Sequence, residues 1–144
     1  MKVKIQISED IKEPYAIIYC DKMTNEIQQI ADQLSASDSI ITVTDGEQMI
    51  PLKPEEIYML RAENEQLTVY CEHTSYTTRK PLYKMEELLG RNFMRISKST
   101  IINLKEISSV EPYFNGTMLL ILKNGSKDYI SRKYLPEFKK YLGL

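Results

Sequence analysis

Histidine occurs once in this chain of 144 residues, cysteine twice and glycine five times. Each scarcity removes a class of chemistry. A tetrahedral metal centre draws three or four ligands from clustered His, Cys and carboxylate residues. His73, Cys20 and Cys71 are too few and too far apart to form one, so no metal or other cofactor is expected. Five glycines leave little backbone for cradling phosphate, and neither a Gly-rich phosphate loop nor a nucleophile elbow is present. The longest purely apolar run, with tyrosine not counted, is Met118 to Leu122, far short of the about twenty residues a bilayer span requires. The opening Met1-Lys2-Val3-Lys4-Ile5-Gln6 alternates polar with apolar residues instead of placing an apolar stretch after a basic one. A cytoplasmic location is therefore expected, with both cysteines as buried thiols and no disulfide.

Charge is plentiful but unevenly divided. Residues 1–65 hold 6 Lys/Arg against 13 Asp/Glu and residues 66–144 hold 13 against 7, so a net charge of -1 conceals halves of -7 and +6. An acidic total argues against a nucleic-acid partner only until the chain is halved. The basic half is where a polyanion would sit.

Periodicity divides the chain near residue 38. Val3, Ile5 and Ile7 recur at period two and Tyr15–Cys20 is rich in β-formers, so both read as strands. A helix should follow, capped by Asp21 or Thr24, with Met23, Ile27, Ile30, Ala31 and Leu34 on one face. The polar stretch Ser35-Ala36-Ser37-Asp38-Ser39 ends that pattern. Two regions result: a strand-strand-helix appendage over 1–38 and a larger domain over 39–144.

The larger region is an alternation of short apolar runs and turn residues, which marks a mainly β domain. Strands are expected at Ile40–Thr44, Gln48–Leu52, Ile57–Ala62, from Leu67 on through Cys71 and His73, at Tyr76–Leu82, Phe93–Ile96, Ile101–Leu104, Thr117–Leu122 and Lys127–Ser131. Helices fit Tyr83–Leu89, closed by Gly90, and Leu135–Leu142. Asn115-Gly116 and Lys123-Asn124-Gly125-Ser126 are turn sequences, the second a hairpin.

Little in this chain assembles into a catalytic centre. Alternation puts His73 on the inner face with Leu67, Val69 and Cys71, the position of a structural histidine; an enzyme acting through His73 and Cys71 would lack an orienting acid. Glu55-Glu56 and Glu86-Glu87 read as solvated faces. The basic half is more informative. Arg95-Ile96-Ser97-Lys98-Ser99-Thr100 sets two long cations and three hydroxyls at the junction of two apolar strands, Ser131-Arg132-Lys133-Tyr134 repeats the mixture, and Arg79-Lys80 forms a weaker third cluster. Loops of this composition donate hydrogen bonds to phosphates and send side chains to base edges.

The stretch Phe93-Met94-Arg95-Ile96-Ser97-Lys98-Ser99-Thr100-Ile101-Ile102-Asn103-Leu104 resembles the signature of the LytTR family, in which a Phe-x-Arg pair, a short polar loop and an apolar-apolar-Asn triplet recur. Leu122-Lys123-Asn124-Gly125 and Ile130-Ser131-Arg132-Lys133-Tyr134 are similar to its closing hairpin and Ser-Arg motif, in the same order and spacing. Ile57-Tyr58-Met59-Leu60 with Glu63-Asn64, the strand near Leu67–Cys71 and the Leu82–Leu89 helix fit its earlier part, so the likeness covers residues 39–144.

The resemblance implies an α+β chain built on a mainly antiparallel β domain, of bacterial type, that reads double-stranded DNA through loops without a recognition helix, commonly as a homodimer on repeated promoter elements. Carried over by position, it assigns base contacts to Lys98, Arg132 and Asn64, with Asn64 in the loop Asn64–Gln66 where Glu63 and Glu65 oppose phosphate. Phosphate contacts fall to Ser97, Ser99, Lys133, Arg79 and Lys80, and Asn103 is expected to hold a strand end. Two departures stand out. Ser97-Lys98 replaces the histidine or asparagine common in relatives, so base preference does not transfer, and the 38 residues before the domain are too few for a receiver and lack an acidic phosphoacceptor cluster. The appendage is expected to pair subunits, receive a regulatory protein or pack on the domain. The reading is a sequence-specific transcription regulator with no enzymatic activity and no small-molecule substrate. The alternative is a protein-interaction module working through the acidic half, as partner of a membrane-bound regulatory protein.

Overall fold

The computed structural model describes residues 1–35 and 40–144. The chain divides into two units, Met1–Ser35 and Ala36–Leu144. The polar boundary expected at residue 38 falls on residues 36–39, outside the described residues.

The first unit holds one helix, α1 (Asn25–Ser35). Its start is set by Thr24, whose Oγ1 accepts from the Ile27 amide at 3.2 Å, satisfying one of the donors a helix leaves free at its first turn. The two strands expected at Val3–Ile7 and Tyr15–Cys20 are not present: no residue before α1 belongs to a strand. Period-two patterning specifies which face a strand would bury, but a strand exists only when a neighbour completes its ladder. None of the described residues does so, and Val3, Ile5 and Ile7 are exposed. Cys20 is exposed too, against the expectation of a buried thiol.

The second unit contains two antiparallel sheets. Strands β1 (Ile41–Asp45), β2 (Gln48–Leu52), β3 (Met59–Glu63), β4 (Gln66–Tyr70), β5 (Ser75–Thr78), β6 (Phe93–Arg95) and β7 (Thr100–Asn103) form a seven-stranded sheet in the order β2-β1-β5-β4-β3-β7-β6. Strands β8 (Ile107–Pro112), β9 (Met118–Leu122) and β10 (Lys127–Ile130) form a three-stranded sheet, β10-β9-β8. Helix α2 (Leu82–Leu89) precedes β6, and α3 (Leu135–Leu142) closes the chain.

Strand β7 and the first two residues of β3 are buried on both faces. In β7, Thr100-Ile101-Ile102-Asn103 is buried throughout. Ile101 belongs to a core with Val43, Leu60, Val69 and α2 residues Met85 and Leu89, whereas Ile102 belongs to a second core with Met59, Leu120, Ile130 and Phe138 of α3. Leu60 and Met59 divide between the two cores in the same way. One strand pair thus separates two apolar layers, and slipping either strand by one residue would exchange the layers.

Three differences from the sequence reading have local causes. The strand through Leu67 stops at Tyr70, because the Cys71 amide bonds the Thr74 carbonyl at 2.9 Å and turns the chain. His73 is thereby carried out of the buried face to a side-chain exposure of 87%, near Glu72. Strand β8 was not expected: Ile-Ser-Ser-Val-Glu-Pro carries only two apolar residues, and a bulge between Ile107 and Ser109 breaks the period of two. Asn103 acts as expected. Its Nδ2 donates to the Ile57 carbonyl at 2.9 Å, and its Oδ1 accepts from the Lys105 amide at 3.0 Å.

Candidate nucleic-acid interface

Antiparallel pairing gathers the basic loops at one end of the strands. Register places Glu63 opposite Gln66, Arg61 opposite Thr100 and Leu67 opposite Thr78. The β3–β4 turn, the β6–β7 loop and the Arg79-Lys80 segment after β5 therefore emerge together. In the smaller sheet, Ile130 lies opposite Met118, so the loop after β10 emerges beside the loop before β9. The Ser131 amide donates to the Ile96 carbonyl at 2.9 Å and ties the two sheets at this rim.

The β6–β7 loop is held tightly. The Ile96 amide bonds the Thr100 carbonyl at 3.0 Å and the Ala62 amide bonds the Ser99 carbonyl at 2.8 Å, while the Ser99 amide donates to Ser97 Oγ at 3.2 Å. Such side-chain-to-backbone bonds fix short polar turns. Lys98 at the tip is exposed. Across a shared cleft stand Ser131, Arg132, Lys133 and Tyr134, so Ser97, Lys98 and Ser99 line one wall and the Ser-Arg segment the other. Arg132 is exposed, and Lys133 Nζ lies 5.6 Å from the Tyr134 ring centroid, a cation–π separation. Among the described residues, Lys98, Arg132, Lys133, Arg79 and Lys80 have no carboxylate ion-pair partner. Arg95 does not join them: it turns toward α2, with Nε 3.9 Å from Glu86.

Asn64 and Glu65 occupy the β3–β4 turn with φ of 49° and 65°. Positive φ at both central residues is the type I′ hairpin arrangement, which follows the twist of the strands. Asn64 is exposed at the rim. The neighbouring acid Glu63, which the sequence sets against phosphate, is engaged within the protein. Tyr70 OH donates to its Oε1 at 2.9 Å, Arg61 Nη1 approaches the same oxygen at 3.2 Å, and Thr68 Oγ1 donates to Oε2 at 3.0 Å. Burial alone would raise the Glu63 pKa, but these hydrogen bonds and the Arg61 charge outweigh it and hold the carboxyl below its ordinary range.

Arg61 is the residue that sequence reading missed. Its Nε donates to Asp128 Oδ2 at 3.1 Å and its Nη2 to the Lys127 carbonyl at 2.7 Å, clasping β3 of the large sheet to β10 of the small one. Thr100 Oγ1 donates to the same Asp128 oxygen at 2.6 Å. Burial works against the Arg61 charge, yet Asp128 beside it more than compensates and raises the guanidinium pKa. Arg61 and Asp128 stand 67 positions apart; an arginine inside an otherwise apolar strand was the one available signal.

Away from the rim, Cys71 and His73 do not come together as a catalytic pair. Burial, reinforced by the Glu56 charge, pushes the Cys71 thiol up to about 11, so it is protonated at neutral pH. His73 points to solvent. Among the described residues no group of three or more His, Cys, Asp or Glu side chains could hold a metal ion, and no helix is long and apolar enough to cross a membrane.

Two packed antiparallel sheets that present cationic, hydroxyl-rich loops along one rim define the class, a β domain with a basic loop surface. Comparison supplies the family. A profile of the LytTr DNA-binding domain matches residues 47–143, and this chain belongs to that family. It is 31% identical over 129 residues to the sensory transduction protein LytT of Enterococcus faecalis, which covers 86% of this chain and 53% of that protein. It is 34% identical over 125 residues to the transcriptional regulatory protein LytR of Staphylococcus aureus, covering 85% and 51% respectively. The chain thus spans about half the length of the curated relatives it matches. A solved LytTr DNA-binding domain from Bacillus cereus superposes with a TM-score of 0.70 at 28% identity, over 75% of this chain and all of that domain.

Proposed function

We propose that this chain is a sequence-specific, cytoplasmic transcription regulator that reads the major groove of duplex DNA with the loops of its cationic rim. The observation that carries the proposal is the shared cleft of Lys98 and Arg132, both exposed and neither ion-paired among the described residues. Buried or paired cations would serve the fold; these are available to a ligand. Lys98 and Arg132 reach base edges, and Asn64 supplies a third contact from the β3–β4 turn. Ser97, Ser99, Lys133, Arg79 and Lys80 engage phosphates and set register. The engagement of Glu63 by Arg61, Thr68 and Tyr70 lessens the repulsion that this acid would otherwise exert at the rim. No catalytic step, cofactor or small-molecule substrate enters the proposal. Two copies reading repeated promoter elements would double the contact surface, as a homodimer.

Filter binding to promoter and random duplexes across a salt series tests it. Affinity should fall steeply with salt, and Arg132→Ala should erase about 1 to 3 kcal/mol of discrimination between the two DNAs. Lys133→Ala should weaken both alike and lower the salt slope by about one. Equal loss on both DNAs for Arg132→Ala would refute the base-reading role. A second reading, a protein-interaction module that receives a membrane-bound regulatory protein, draws support from the exposed Val3, Ile5 and Ile7; absence of DNA binding at low salt would favour it.

A further inference from the structure

The loop between β8 and β9 reaches the same rim and carries an aromatic side chain that the fold leaves unused. Tyr113 begins the loop, and its ring lies 4.6 Å from that of Tyr129 on β10, anchoring the turn to the sheet. The Tyr113 amide donates to the Thr117 carbonyl at 3.0 Å, and Thr117 returns two bonds to the Phe114 carbonyl, from its amide at 3.2 Å and from Oγ1 at 2.6 Å. Asn115 and Gly116 complete the turn with φ of 56° and 75°. The Phe114 backbone is therefore fixed, yet its side chain is 76% exposed. An ordered loop that holds an aromatic ring in water forgoes the burial that ordinarily stabilises such a residue.

Position gives the ring an occupant. Gly116 lies against the base-reading arginine: a Cβ added there would sit 3.6 Å from Arg132 Cδ and 3.8 Å from Cγ. Around the rim, the Lys98 loop and the Arg132 loop share a cleft, and the Phe114 loop flanks Arg132. A ligand surface contacting Lys98 and Arg132 would therefore continue toward Phe114. In the major groove the apolar feature offered to protein is the thymine C5-methyl, to which phenylalanine makes van der Waals contact.

Resting on the DNA-reading function proposed above, we infer that Phe114 is a specificity-determining residue that contacts a thymine methyl beside the base pair read by Arg132. The arginine stem lies along the loop at Gly116, so one short turn carries an apolar contact next to a hydrogen-bonding one.

The test begins with duplexes selected by the full chain from a randomised library. Each thymine of the selected sequence is then replaced singly by deoxyuridine, which removes only the methyl group. One replacement, adjacent to the position whose preference disappears in Arg132→Ala, should weaken wild-type binding about fourfold, the effect of one buried methyl. The same replacement should leave Phe114→Ala unaffected. Because the ring is exposed, that variant should keep the melting temperature of the wild type, and Phe114→Leu should recover part of the methyl dependence. Identical deoxyuridine penalties in wild type and Phe114→Ala would overturn the inference while leaving the DNA-reading function intact. Loss of self-association in Phe114→Ala with methyl dependence unchanged would overturn it in favour of a contact between copies. Failure of the wild type to enrich any sequence would remove the functional reading, and this inference with it.

Discussion

The two ends of the strands in the larger unit are made of similar residues put to opposite uses. At the end away from the rim, three loop side chains, those of Asn103, Asn124 and Lys123, are engaged inside the protein. Asn103 spans the Ile57 carbonyl and the Lys105 amide, Asn124 Nδ2 donates to the Cys71 carbonyl at 2.8 Å, and Lys123 Nζ approaches the Lys105 carbonyl at 3.4 Å. At the rim, Lys98, Arg132 and Asn64 extend into water, with only the backbone of their loops restrained. Residue type does not separate the two ends, since asparagine and lysine occur at both. What separates them is whether the hydrogen-bonding capacity of the side chain is already spent within the fold.

The sharpest way to break that contrast is Asn103→Ala. It strands a buried carbonyl and a turn amide, and should cost about 2 to 3 kcal/mol in urea denaturation; a neutral result would mean the far end is not held by its side chains. Next comes a paired comparison. Asn124→Ala should lower stability by about 1 kcal/mol while leaving DNA affinity unchanged, whereas Lys98→Ala should weaken DNA binding and leave the unfolding midpoint where it was. A crossed outcome in that pair would dissolve the distinction between the two ends. The smallest effect belongs to Glu63→Gln. Because the folded carboxyl titrates below its ordinary value of 4.5, its contribution to stability is present above that pH and is lost as pH falls through the depressed folded value. The variant should be less stable than wild type at neutral pH, with the gap closing in acid; a gap that widened in acid would contradict the hydrogen-bond assignment.

The sequence disclosed the large unit well because its strands carry their own punctuation. Gln48–Leu52 and Leu135–Leu142 match the expected bounds, and β7 is legible from an apolar run bounded by polar residues. It misled where a pattern depends on a partner. Val3, Ile5 and Ile7 alternate, but no described residue pairs with them. The alternation through His73 ran on past a turn set by one backbone bond, Cys71 to Thr74. Strand β8 shows the converse, with pairing imposed on a segment whose composition argues for a loop. At the rim, Lys98 and Arg132 could be named from motifs, whereas the clasp of Arg61 on Asp128 is a contact between distant strands and leaves no local trace.

Burial of β7 on both faces has a consequence for how such a domain changes its target. The strand that receives the Lys98 loop is wedged between two apolar layers, so neither layer can be repacked without displacing it. Variation that alters base preference while keeping the scaffold is thereby steered into the exposed tips, where side chains can be exchanged at small structural cost. On the proposed function, the loops that would read DNA and the sheets that carry them become separable parts of the same fold.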